Sequence, residues 1–177
     1  NQPPVARSRD VTVFTGSGAT DCFVQASIDD GSFDPDDNSI TFTQSPPGPY
    51  PVGTTLVTLT VTDSTGASST STSTVTVIDN APPQIVCPAN IVVGNDEGKC
   101  STVVTFTVTA TDNCGAAPVF SAPPSGYAFP HGTTTVVAKV LDTAGNEATC
   151  SFTVTVEDRE APMAECVPTT NPPGNNV

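Results

Sequence analysis

The sequence predicts an all-β fold of two tandem β-sandwich domains, and three observations carry that prediction. One stretch is written twice, as Pro51-Val-Gly-Thr-Thr-Leu-Val-Thr-Leu-Thr-Val-Thr-Asp-Ser-Thr-Gly and as Pro130-His-Gly-Thr-Thr-Thr-Val-Val-Ala-Lys-Val-Leu-Asp-Thr-Ala-Gly. Sliding one copy onto the other by 79 positions superposes Gly53 on Gly132, Asp63 on Asp142 and Gly66 on Gly145. Within each copy apolar residues alternate with polar ones, so Val57, Leu59 and Val61, and later Val136, Ala138 and Val140, share one face of a strand. No segment shows a capped helical period, and 18 Pro and 13 Gly recur too often for helices of ordinary length. A period of 79 in 177 residues divides the chain into residues 1–80, residues 81–160 and a tail, 161–177.

Each element follows from local composition. Asn1-Gln-Pro-Pro resembles Asn80-Ala-Pro-Pro and reads as a linker. Residues 10–14 and 90–93 are the first strands of the two copies. A turn over 16–21 leads to the second strand, 22–28, matched later by 100–110 with Val104, Phe106, Val108 and Ala110 as its inward row. An acidic loop, Asp29-Asp-Gly-Ser-Phe-Asp-Pro-Asp-Asp-Asn, precedes a third strand at Ile40-Thr-Phe-Thr. Pro46-Pro-Gly-Pro-Tyr-Pro and Pro123-Pro-Ser-Gly-Tyr-Ala-Phe-Pro cross between sheets, because proline donates no ladder hydrogen bond. The repeated stretch then closes each unit as a hairpin, with Asp63 and Asp142 opening its Asp-x-x-Gly turn.

Composition narrows the function classes. A net charge of -13, from 18 acidic and 5 basic residues, argues against nucleic acid and anionic membrane surfaces, which attract basic patches, and favours cations. No run of 18 apolar residues exists, so no membrane insertion is expected. Six cysteines without a Cys-x-x-Cys pair, beside a single histidine, fit disulfides in an oxidising compartment better than zinc. His131 occupies the repeat position of Val52 and no Gly-x-Ser-x-Gly elbow accompanies it, so the chain reads as non-catalytic. Residues 70–76 could carry O-linked sugar, or be simply exposed β-branched strand.

The motifs of residues 84–158 resemble those of a hyalin repeat (HYR) domain: Ile85-Val-Cys-Pro, Gly98-Lys-Cys, Asp112-Asn-Cys-Gly, Gly126-Tyr-Ala-Phe-Pro-His-Gly, Asp142-Thr-Ala-Gly-Asn and Cys150-Ser-Phe-Thr-Val-Thr-Val. Residues 1–79 resemble a hybrid of that family and the polycystic-kidney-disease (PKD) domain, through Asp34-Pro-Asp-Asp, Tyr50-Pro-Val-Gly-Thr-Thr and Leu59-Thr-Val-Thr-Asp. The usual aromatic-rich third strand of the latter is reduced here to Ile40 and Phe42. The resemblance implies two tandem immunoglobulin-like β-sandwich domains, found as modules of extracellular or cell-surface proteins, and no catalysis. The repeat, the acidic surface and the absence of site chemistry point to a non-catalytic role as a rigid structural segment or subunit of a cell-surface or matrix fibre or adhesin stalk. The other reading is a carbohydrate-binding or spacer module of a secreted polysaccharide-degrading enzyme, weakened by the absence of Trp and the presence of only two Tyr.

The repeat also suggests a wiring of the cysteines. Cys114 and Cys150 both lack counterparts in the first copy, which suits a bonded pair. The near-equal intervals from Cys22 to Cys87 and from Cys100 to Cys166 suggest two further bonds, each tying one unit to the segment after it. The alternative joins Cys87 to Cys100. Oxygen-rich loops point to calcium. Asp30, Asp34 and Asp36 lie in the acidic loop, with Asn1 and Asp63 expected at the same pole; the later copy offers Asp112 and Asp142, with Asp79 and Asn80 from the linker. The PKD resemblance bears most directly on Asp34 and Asp36, and the alternative is a solvated acidic loop in which Asp63 and Asp142 only fix turns. Residues 169–177 resemble a first strand without its sandwich, which could fray, pair within the chain, or join a neighbouring molecule head to tail.

Overall fold

The computed structural model describes residues 1–16, 21–116 and 118–162. Among them every element is a strand. In chain order the first half holds β1 (Val11–Phe14), β2 (Phe23–Val24), β3 (Ile40–Ser45), β4 (Tyr50–Pro51), β5 (Gly53–Asp63) and β6 (Ser68–Ile78). The second holds β7 (Gln84–Val86), β8 (Ile91–Gly94), β9 (Ser101–Val104), β10 (Thr109–Thr111), β11 (Phe120–Ala122), β12 (Tyr127–Pro130), β13 (Gly132–Leu141) and β14 (Glu147–Glu157).

Each half is organised by one four-stranded sheet, β1-β6-β5-β3 and then β8-β14-β13-β11. The hairpins copy one another in register: Gly53 faces Val77 as Gly132 faces Val156. In both sheets the first strand lies parallel to the last, with Val11 opposite Val75 and Ile91 opposite Val154. Short pairs, β2 with β4 and β9 with β12, lie apart from these sheets and again match, since Phe23 faces Pro51 and Ser101 faces Pro130. The second half adds a β7-β10 pair.

The alternation of apolar residues and Thr produces two separate cores. Val57, Leu59 and Val61 on β5 meet Val75, Val77, Ile28 and Tyr50. Val136 on β13 meets Phe152, Val154, Val156, Phe129 and Val104 in the second, with Ala138 and Val140 also fully buried. Tyr50 is tolerated inside because its hydroxyl donates to the Pro46 carbonyl at 3.1 Å and accepts from Gln44 at 2.9 Å. Phe106 stacks edge-on against Phe152 at 4.9 Å between ring centroids.

The second strands are shorter than their apolar patterns suggest, because side chains take the place of a neighbouring strand. Gln44 accepts from the Ile28 amide at 2.8 Å and donates to the Ala26 carbonyl at 3.0 Å, so the ladder stops after Val24. In the later copy Ser125 accepts from the Phe106 amide and donates to the Phe106 carbonyl, both at 2.9 Å, and splits the expected strand into β9 and β10. Val104, Phe106 and Val108 nonetheless pack on the core.

The cysteine wiring departs from expectation. Cys87 bonds Cys150 with Cα atoms 5.9 Å apart, and Cys22 bonds Cys114 at 5.1 Å, so neither Cys22–Cys87 nor Cys114–Cys150 forms. Equal sequence intervals were a poor guide because pairing is set by which strands meet. Cys87 follows β7, which packs beside β14 where Cys150 sits. The loop beyond β10 carries Cys114 away from Cys150 and onto the first half, where Asn113 donates to the Asp21 carbonyl at 3.2 Å. Cys100 is exposed with no partner among the described residues; Cys166, its expected partner, and the strand-like tail at 169–177 lie outside them.

Leu59 is fully buried whereas Leu56, three positions away on the same strand, is 66% exposed. Leu59→Ala should therefore cost about 3 kcal/mol in urea unfolding, the usual toll for a core leucine. Leu56→Ala should stay within roughly 0.5 kcal/mol of the parent.

Candidate functional site

The acidic residues gather at two equivalent places. In the first half the Asp34-Pro-Asp-Asp turn is closed by its own side chain: Asp34 Oδ1 accepts from the Asp36 amide at 2.8 Å and the Asn38 amide at 3.3 Å. Asp37 adopts a left-handed φ of 58° within it. At the β5–β6 turn, Asp63 Oδ1 accepts from the Thr65 and Ala67 amides at 2.8 and 2.9 Å, and Gly66 supplies the positive φ of 95° that lets the chain reverse. Asn1 joins the two turns, donating to Asp63 Oδ2 at 2.9 Å while its own Oδ1 accepts from Asn38 at 2.8 Å. The Gln2 amide donates to Asp36. Asn1, Asp34, Asp36 and Asp63 are thus brought together. Asp30 is not, for it forms an exposed ion pair with Arg9 at 3.4 Å.

The second half repeats the motif. Asp112 Oδ1 accepts from the Cys114 amide at 2.8 Å, as Asp34 does two residues on. Asp142 Oδ1 accepts from the Asn146 amide at 2.8 Å and its Oδ2 from the Asn146 side chain at 2.7 Å. Asn146 also donates to the Asp79 carbonyl at 3.2 Å, tying the linker to the β13–β14 turn. Ala116 bridges to Asp142 and closes the ring from the Asp112 side. Asn80 faces elsewhere, accepting from the Gly16 amide at 2.8 Å. Asn38 and Asn146, unremarked in the sequence, do the joining; the signal available for Asn146 was its place in Asp142-Thr-Ala-Gly-Asn.

Hydrogen bonding accounts for some of these carboxylates and conspicuously not for others. The Asn1 side chain, with Thr65 and Ala67, holds the Asp63 carboxyl below its ordinary value despite burial. Burial pushes Asp142 up, but the Asn146 side chain and the amides of Asn146, Gly145 and Ala144 outweigh it and leave the group lowered. By contrast one oxygen each of Asp34, Asp79 and Asp112 is buried with no hydrogen-bond partner. Asp79 is only 4% exposed and Asp34 7%. Carboxylate oxygens of Asp79 and Asp112 lie within 4.8 Å of each other and of the Cys114 sulfur. That sulfur is committed to the Cys22 disulfide, so the usable donors are hard oxygens. A buried carboxylate oxygen without a hydrogen-bond partner carries a desolvation penalty that a bound group can offset. Two such oxygens side by side are donors of the hard type that oxygen-preferring divalent cations such as calcium take.

The structure is that of a disulfide-braced, all-β module of the extracellular or cell-surface kind, as its cysteine bonds require an oxidising setting. Residues 78–156 match the family model of the HYR domain, and this second half of the chain belongs to that family. Hyalin of Strongylocentrotus purpuratus is 39% identical over 153 residues, covering 82% of this chain and 12% of hyalin. A mouse sushi, von Willebrand factor type A, EGF and pentraxin domain-containing protein is 37% identical over 90 residues, 47% of this chain and 2% of that protein. The chain therefore spans a small part of the curated relatives it matches. Among solved structures, human protocadherin-24 EC1-2 aligns over 89% of this chain and 98% of its own with 15% identity and a TM-score of 0.38. Drosophila N-cadherin EC1-4 aligns over 89% and 50% with 10% identity and a TM-score of 0.42.

Because the Asp63 and Asp142 carboxyls sit below their ordinary values when folded, they stabilise the fold above the unfolded-state value, and that stabilisation is lost as pH falls through the folded one. In chelator, the melting temperature should hold from pH 7 to about 5 and fall below about pH 4. Asp142→Asn should melt lower at pH 7 and lose part of the acid-side slope, measured by thermal scans across pH.

Proposed function

We propose that the chain is a non-catalytic structural segment of a cell-surface or matrix fibre or adhesin stalk, built of two tandem β-sandwich domains, residues 1–80 and 81–160, whose joint is stiffened by calcium. The observation that carries this reading is the joint itself. Asp79, at the exit of the first half, and Asp112, in a loop of the second, present unpartnered buried oxygens beside the only described disulfide linking the two halves. Asp79, Asp112 and Asp142 would hold one ion, and Asp34, Asp36 and Asp63, with the Asn1 carbonyl oxygen, a second. Bound cation supplies charge neutralisation, and each carboxylate ties a different segment to it.

The HYR match of residues 78–156 and the 39% identity to hyalin support a role of this structural kind. A linker that turns independently would serve poorly in a stalk. Here Asn146 bonds the Asp79 backbone and Cys22 bonds Cys114, so a hydrogen bond and a disulfide already hold the joint. Association with neighbouring modules follows from the same reading.

Calcium at about 100 times its dissociation constant should raise stability by roughly 2.7 kcal/mol. Differential scanning calorimetry should show a fall of several degrees in chelator and recovery on adding calcium. Asp79→Asn with Asp112→Asn should abolish calorimetric calcium binding at the joint while leaving the Asp34 site titratable. A chelator-insensitive melt together with no heat of calcium binding would refute the reading.

A further inference from the structure

The exit of the second half reproduces the exit of the first, residue by residue. The Thr15 amide donates to the Ile78 carbonyl at 3.1 Å, and the Asn95 amide to the Glu157 carbonyl at 3.1 Å. The Asn80 amide donates to the Thr15 side chain at 3.4 Å, and the Arg159 amide to the Asn95 side chain at 3.1 Å. Asp79 Oδ1 accepts from the amide two residues on at 3.1 Å, and Asp158 Oδ1 does the same at 3.0 Å. Cys22 immediately precedes the residue that faces Pro51, and Cys100 immediately precedes the residue that faces Pro130. Cys100 and Asp158 therefore stand where Cys22 and Asp79 stand at the joint. They differ in what covers them: Asp79 is 4% exposed, accepts in addition from the Thr15 hydroxyl at 2.8 Å and stands beside the bonded Cys22, whereas Asp158 and Cys100 are open to solvent and Cys100 has no partner among the described residues.

We propose that this face is a docking surface for a further HYR module in tandem, whose Asp-Asn-Cys loop bonds Cys100 through its cysteine and shares a cation with Asp158 through its aspartate. The occupant follows from the occupied copy. Asp112-Asn-Cys-Gly sits on Asp21 and Cys22 with Asn113 donating to the Asp21 carbonyl and Cys114 in the disulfide. The receiving cleft on the second half is already formed, lined by Asn95, Lys99, Cys100, His131, Asp158 and Glu160. Cys166 stands in the repeat where Cys87 stands, and Cys87 pairs within its own half to Cys150. On this pattern Cys166 belongs to the next module's internal bond and is no partner for Cys100. Each joint in an array would then carry the same staple.

Forming the bond needs an oxidant, and the proposal takes a small-molecule disulfide such as oxidised glutathione. The Cys100 thiolate attacks one sulfur and expels one glutathione thiolate; the incoming module's thiolate then attacks Cys100 Sγ and expels the second. Two S–H bonds are lost, one protein S–S bond is made, and the glutathione disulfide is reduced to two thiols that take up the two protons.

The inference rests on the tandem-module reading above, and its test is independent of calcium. Residues 1–162 are followed directly by a second copy of residues 84–162 in which that copy's own Cys100 carries Cys100→Ser, and the extended chain is refolded in a glutathione buffer, alkylated, and mapped by non-reducing peptide mass spectrometry beside the 177-residue chain. In the 177-residue chain Cys100 should be alkylated or glutathionylated. In the extended chain that labelling should be lost, and Cys100 should appear joined to the added copy's Cys114. Cys100→Ser in the extended chain should expose one thiol, on the added copy's Cys114, which keeps the assignment testable if the parent map is crowded. Cys100 joined to Cys166 in the 177-residue chain would overturn the proposal, as would undiminished labelling of Cys100 in the extended chain or the absence of the Cys22–Cys114 bond that serves as its template. A melt insensitive to chelator would sink the calcium reading and leave this map unchanged.

Discussion

The ten-residue register between the two long strands of each hairpin is the constraint on which everything else hangs. With Gly53 opposite Val77, the row Val57, Leu59, Val61 faces inward, and a slip of one residue would turn threonines into the core. The same pairing sets Asp63 at the turn and Asp79 just past the end of β6, so the two acidic poles are placed by the ladder before any of their own contacts form. Threonine suits the outer row because it is β-branched yet able to hydrogen bond across strands, as Thr54 does with Thr76 and Thr133 with Thr155.

The poles divide their carboxylates into two kinds. Buried polar groups are as a rule hydrogen-bonded, and Asp63 and Asp142 conform by accepting backbone amides. Asp34, Asp79 and Asp112 each devote one oxygen to fixing a turn or linker and leave the other bare. The Asp34 and Asp112 turns use the same Asx geometry to do so.

Legibility in the sequence tracked how local the determining physics was. Alternation and the duplicated stretch foretold both hairpins, their turns and the buried rows on β5 and β13, because period-two patterning and Asp-x-x-Gly turns are read from neighbours. The clustering of Asn1, Asp34, Asp36 and Asp63 was legible for the same reason once the poles were inferred. The second strands were overestimated, because Gln44 and Ser125 stand in for ladder partners from 16 and 19 residues away, and nothing in residues 22–28 or 100–110 announces it. The cysteine pairing failed for a related reason: it depends on β7 lying against β14 and on a loop reaching the other half, contacts with no local signature. Asp30, grouped with the others by its place in the acidic loop, pairs instead with Arg9, a contact far back along the chain that the loop's own residues do not signal.

The Cys87–Cys150 bond gives the second half a particular mechanical character. β8 lies between the two cysteines, so tension entering at Cys87 crosses to Cys150 through the bond and does not shear the parallel β8–β14 ladder. Beyond Cys150 the load runs along residues 151–157, which are already extended as strand. Pulled from its ends, such a unit would behave as a strut of nearly fixed length.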